Sequence, residues 1–153
     1  MYRIILSVIF LTTFLFSAIN INDNMDSFKS LDQFDKEHLV TNKTKQMIFV
    51  FKKASGHSMK AFLSTKEVNY LDKKDILFVA DVSGMPSFIK WFALPSLKNY
   101  PFSIVVLNDD ELSLKYKNKE EIEKIMVVIL KNKIVIDIKY FEDINTLQLY
   151  LEK

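Results

Sequence analysis

The sequence predicts an α/β fold: a mixed central sheet between layers of helices, finished by a C-terminal β-hairpin and one last helix. Three observations carry this reading. Short apolar runs rich in β-branched and aromatic residues recur at Met47 to Phe51, Ile76 to Ala80 and Phe102 to Leu107, the composition of strands covered on both faces. Between them the apolar residues switch to helical spacing. Near the C-terminus, Met126 to Leu130 and Ile134 to Tyr140 flank the short turn Lys131-Asn132-Lys133. Asn132 accepts positive φ at modest cost, so these two strands pair antiparallel.

Each element follows in order. Phe28 to Val40 alternates loosely and reads as a hairpin or an extended arm. After the strand at 47–51, Met59, Phe62 and Leu63 stand at i, i+3, i+4 with Tyr70 a heptad beyond Leu63, so a helix returns the chain to the strand at 76–80. That βαβ unit makes the sheet parallel here, with a right-handed crossover. Pro86 suits the first turn of a second helix marked by Met85, Phe88, Ile89 and Phe92, and Pro95 disturbs its end. A third strand at 102–107 follows, then a short charged helix over Asn118 to Lys124. Asp143 caps the last helix, whose inner face carries Ile144, Leu147 and Leu151.

The first residues point outside the cytoplasm. Ile4 to Ile19 is an almost unbroken apolar run behind Arg3. Its length falls short of the ~20 residues that span a bilayer, and Ser17-Ala18 supplies small residues for cleavage. Residues 1–18 are therefore expected to be a signal peptide, 19–27 a linker and 28–153 the folded domain, in a periplasmic or secreted protein. Phe16 stands where a small residue is preferred, so an uncleaved anchor is the alternative and the only membrane attachment expected.

Composition excludes several chemistries. The 153 residues include no cysteine, which removes disulfides, thiolate nucleophiles, iron–sulfur clusters and cysteine zinc sites. Two glycines, Gly56 and Gly84, cannot write a dinucleotide or phosphate-loop motif. His38 and His57 are the only histidines, and the acidic run Asn108 to Glu111 lacks the spacing and glycine of a calcium loop, so neither metal nor cofactor is expected. Net charge is +2, and Arg3 is the only arginine among 21 basic residues. Basic residues cluster only in pairs, so no nucleic-acid partner is expected.

The order of these segments resembles the redoxins, the peroxiredoxin-like branch of thioredoxin-like proteins. Phe28-Lys-Ser-Leu-Asp-Gln-Phe-Asp-Lys36 is similar to their opening F-x-L-x-D-x-x-G-K, and Lys52-Lys-Ala-Ser-Gly-His57 sits where they carry the catalytic loop. Pro101 to Tyr116 resembles their P-x5-D-x7-Y stretch, and Met126 to Ile138 their closing hairpin. The resemblance implies a thioredoxin-like three-layer sandwich. It also implies a catalytic cysteine between Ala54 and Met59 and a peroxide-polarising arginine, and both are missing. The family's redox activity cannot be inherited. No proline precedes the closing hairpin where the fold's cis-proline belongs, which leaves Tyr100-Pro101 as a candidate for a cis bond.

Two loops should meet at the carboxyl edge of the parallel strands, Lys52 to Ser58 and Asp81 to Ser87. His57 could there face Asp81 beside Ser55 or Ser58, a set that permits acid–base or nucleophilic chemistry. The same residues also serve as helix caps and turn residues. In the second helix Phe88 and Phe92 share a face with Trp91 about 60° round the helix. The three cannot all point inward, so Phe88, Trp91 and Phe92, with Tyr100 and Pro101, are the candidate binding residues. The function expected is a non-catalytic periplasmic binding or accessory module engaging a protein partner. The competing class is a cysteine-free enzyme using His57 with Ser55 and Asp81, and a small-molecule carrier is a further possibility.

Overall fold

The computed structural model describes residues 18–153, so the signal segment read at residues 1–18 lies outside them except for Ala18. Among these residues five strands form one mixed sheet. Its members are β3 (Gln46–Val50), β4 (Ile76–Asp81), β5 (Val105–Leu107), β6 (Ile125–Lys131) and β7 (Ile134–Phe141), following the hairpin strands β1 (Lys29–Leu31) and β2 (Glu37–Leu39). The order is β5-β4-β3-β6-β7: the first three run parallel, β6 runs antiparallel to β3, and β7 runs antiparallel to β6. Asn132 and Lys133 make the β6–β7 turn at φ 50° and 68°. The expected α/β architecture, with its closing hairpin and last helix, is the one observed.

The period of two along a strand divides the core. On β3, Met47 and Phe49 face one side with Phe28 and Tyr116, while Ile48 and Val50 face the other with Met59, Leu63, Phe78 and Leu147. The first side is closed by the β1–β2 hairpin and by α4 (Asp110–Tyr116), where Phe49 stacks on Tyr116 at 5.3 Å. The second is closed by α1 (Lys53–Ser64), α2 (Tyr70–Lys73) and α5 (Ile144–Leu151). Asp143 caps α5 by accepting from the amides of Asn145 and Thr146 at 2.8 and 2.9 Å. The helix α3 (Ser87–Leu97) buries only Leu97.

Three expectations need correction, and one open point is decided. The third strand is shorter, Val105–Leu107 rather than Phe102 to Leu107, because the Gln33 side chain takes the backbone groups a longer ladder would use. Its Nε2 donates to the Phe102 carbonyl at 2.7 Å and its Oε1 accepts from the Ile104 amide at 2.7 Å. The charged helix lies at Asp110–Tyr116, not at Asn118 to Lys124. Asp109 caps it by accepting from the Leu112 amide at 2.7 Å. Asp110 and Glu111 occupy its positive first turn and Lys115 its last, which suits the helix dipole. Residues 118–124 form turns instead. The helix after β3 begins at Lys53, so Ser55, Gly56 and His57 lie on its first two turns rather than in a loop. The Tyr100-Pro101 bond is trans.

Candidate functional site

Parallel strands β3 and β4 are neighbours, so their carboxyl ends bring the start of α1 against α3. A cleft of about 660 Å³ opens between them. Phe51, Val82, Met85, Ile89 and Leu94 form apolar walls, while Lys52, Lys53, His57 and Lys60 stand on the α1 side and Asp81 and Lys117 at one end. Two sequence candidates, His57 and Asp81, line this cleft, but no hydrogen bond joins them. His57 is exposed, and among the described residues it has no hydrogen-bond or ion-pair partner. Ser55 is buried and its Oγ donates to the Lys52 carbonyl at 3.0 Å, inside its own helical turn.

Asp81 is engaged elsewhere. Its side chain is 2% exposed, with Lys117 Nζ at 2.7 Å from Oδ2. Ser113 Oγ donates to the same oxygen at 2.8 Å, and the Ser83 amide donates to Oδ1 at 2.9 Å. Burial by itself pulls this carboxyl upward; the bonds from Lys117, Ser83 and Ser113 outweigh it and hold the group below its ordinary range. A carboxylate so held is a strut between β4 and α4 rather than a proton acceptor. Burial pushes the neighbouring Tyr116 hydroxyl up to about 12, which keeps it protonated at neutral pH.

The aromatic candidates on α3 face solvent. Phe88, Trp91 and Phe92 are 70%, 73% and 68% exposed. Trp91 and Phe92 meet edge to face at 4.6 Å. The helix turns Ile89 and Ala93 into the cleft and these three away from it. Pro95 lies inside the helix, and the amides of Lys98, Asn99 and Tyr100 bond three residues back, so the helix tightens beyond it. Tyr100 is half-buried with its ring 5.5 Å from Phe102, and Lys60 Nζ sits 5.1 Å from the Tyr100 ring centre; Pro101 is exposed.

A second polar cluster escaped the sequence reading: Asp32, His38 and Ser103. His38 Nε2 lies 2.8 Å from Asp32 Oδ2, Ser103 Oγ donates to that oxygen at 2.7 Å, and Ser103 Oγ is 3.0 Å from His38 Nε2. Asp32 Oδ1 accepts from the amides of Phe34 and Lys36 at 2.8 and 3.0 Å. The residue types are those of a hydrolytic triad, but the connectivity is not. A triad holds its acid on the ring nitrogen opposite the one facing the serine; here acid and serine share Nε2. The cluster is a clasp fastening the hairpin to the segment before β5. Burial would raise Asp32, and the bonds from Ser103, His38 and the two amides overcome this and hold it low. Only the Asx-turn spacing of Asp32 ahead of Phe34 gave a sequence signal, since Ser103 lies 71 positions away.

Between this hairpin, α3 and α4 lies a second groove of about 890 Å³, where Lys29, Lys98 and Lys115 are balanced by Asp35, Asp109 and Glu111. Among the described residues no group of three or more His, Asp or Glu is placed to hold a metal ion.

No protein-family model and no curated protein matches the chain in sequence. Solved structures do match. The peroxiredoxin-like protein from Aquifex aeolicus superposes with a TM-score of 0.52 at 12% identity, covering 89% of this chain and 88% of that one. The thioredoxin domain of a thiol-disulfide oxidoreductase from Bacteroides vulgatus gives 0.51 at 15% identity, covering 88% and 99%. The mitochondrial 2-Cys peroxiredoxin from Plasmodium falciparum gives 0.51 at 14% identity, covering 87% and 90%. At such identities the likeness is one of fold, and it spans nearly the whole described chain. The segment Ala54 to Met59, where the redoxin resemblance calls for a thiol, forms the first turns of α1 and contains none. The protein therefore has a thioredoxin-like fold from which the catalytic cysteines are absent.

Proposed function

We propose that the chain is an exported, non-catalytic binding module that works through the cleft between α1 and α3 and the aromatic face of α3. One observation carries this: the cleft has recognition surface but no activated nucleophile. Ser55 is bonded to its own helix, Asp81 is closed by Lys117, Ser83 and Ser113, and His57 has neither as a partner. Nucleophilic catalysis needs a base within hydrogen-bond reach of the attacking group. The redox activity named for the structural neighbours does not transfer, because a thiol is its reagent. Export is supported by the apolar run behind Arg3 and the small residues at 17 and 18.

The test combines location with turnover. Fractionation of the native host, followed by N-terminal sequencing, is expected to find the chain outside the cytoplasm beginning near Ile19. Purified protein is expected to leave hydroperoxide, disulfide and activated-ester substrates at the buffer rate. Turnover that disappears in His57→Ala would replace the module with the enzyme that pairs His57 with Ser55 or Asp81.

A further inference from the structure

The cleft has an imbalance of charge that indicates what fits it. Lys53, His57 and Lys60 stand at i, i+4 and i+7 on α1, one stripe along the helix, and all three line the cleft. The other two lysines there have acids: Lys117 lies 2.7 Å from Asp81, and Lys52 lies 3.4 Å from Glu123. Among the described residues Lys53 and Lys60 have no carboxylate partner. Burial depresses the Lys60 ammonium, and the nearby charge of Lys53 depresses it further. An anion placed between them would relieve that repulsion. Opposite the stripe the walls are apolar: Met85, Ile89, Ala93 and Leu94 from α3 and its approach, with Phe78 and Val82 from β4 and its end. The groove of 890 Å³ offers no such excess of positive charge, since Lys29, Lys98 and Lys115 share its lining with Asp32, Asp35, Asp109 and Glu111.

We propose that this cleft binds a free medium-chain apolar carboxylate, its tail against the α3 and β4 walls and its carboxylate between Lys53 and Lys60. A volume near 660 Å³ lies within the ordinary range for small-molecule sites, which pair apolar walls with a few placed polar groups. The headgroup contact is a charge-assisted hydrogen bond in a partly desolvated recess, where such bonds are stronger than in water. The inference rests on reading the cleft as a binding site.

Isothermal titration of the full chain with decanoate, below its micelle concentration, tests it. One saturable site per chain is expected. The pair Lys53→Gln, Lys60→Gln should weaken binding about tenfold or more, with circular dichroism unchanged because both side chains reach solvent. Ala93→Leu, which narrows the cleft from the opposite wall, should weaken it independently, and decan-1-ol should bind at least about tenfold more weakly than decanoate. Decanol binding as well as decanoate, or the lysine pair having no effect, would overturn the carboxylate site. So would uptake without saturation, or an apolar peptide ending in a free carboxylate competing as well as decanoate. Absence of saturable binding in a chain that also shows no turnover removes the ligand class alone; turnover by the wild-type chain removes the binding-module reading itself.

Discussion

The β1–β2 hairpin and helix α3 both lie beside the parallel half of the sheet, and they are attached by opposite means. The hairpin is tied at its turn by side chains that reach another segment: Asp32 accepts from the Ser103 hydroxyl, and Gln33 bonds the backbone of Phe102 and Ile104. Its Asp32 side chain is 3% exposed and every acceptor site on it is filled. Helix α3 buries Leu97 and turns three aromatics outward. An element fastened by buried polar bonds has little left to offer a ligand. One that fully buries only Leu97, with Leu94 packed in part against the core, keeps most of its surface for contacts from outside, so recognition is better sought along α3 than at the hairpin, although the hairpin holds the more enzyme-like residues.

Substitutions can break this contrast, beginning with the hairpin. Asp32→Ala strips an acceptor from Ser103, His38 and two amides, and should cost roughly 3 kcal/mol of stability. Urea unfolding reads it, and a loss under about 1 kcal/mol would mean the clasp does not hold the hairpin. Lys117→Met leaves the Asp81 carboxylate buried with only Ser83 and Ser113, and should cost about 2 kcal/mol. Recovery of most of that loss in Lys117→Met, Asp81→Asn would show that the uncompensated charge is its source.

Acid should act on both carboxylates in one direction. Each is held below its ordinary value of 3.8 in the folded chain. Their contribution is therefore complete above that pH and is lost as pH falls through the lower folded values. Stability against pH below about 4 should be visibly shallower in the Asp32→Asn, Asp81→Asn chain than in wild type. Equal slopes would place the acid sensitivity in other groups. The smallest effect on folding belongs to α3: Trp91→Ala should change stability by less than about 0.5 kcal/mol, because the ring is 73% exposed. A larger loss would show that the aromatic face is structural.

Much of the fold was legible because it is written in local periodicity. Met47 to Phe51 is apolar at every position and supplies the central strand of the five-stranded sheet. Asp143 was readable as a cap because a cap acts within three residues. The misplaced charged helix shows the limit of charge patterning. Asn118 to Lys124 carries charges at helical spacing but only Ile122 as an apolar anchor, whereas Asp110–Tyr116 buries Ser113 and Tyr116 under the sheet. The candidate site was half legible. Topology predicted which loops would meet, but His57 and Asp81 share a cleft without bonding, because Lys117 reaches the carboxylate first.

By itself the amino-acid sequence determined the layer order, the strand types and the loss of thiol chemistry, since hydrophobic period and residue identity are properties of neighbouring positions or of the whole count. Tertiary structure alone decided which acids are neutralised, which lysines remain without acids, and that Phe88, Trp91 and Phe92 look outward together. Those outcomes depend on contacts between residues tens of positions apart, as between Asp32 and Ser103 or Asp81 and Lys117. A charge's partner is set by where the folded backbone brings the chain past itself, and no local pattern encodes that crossing.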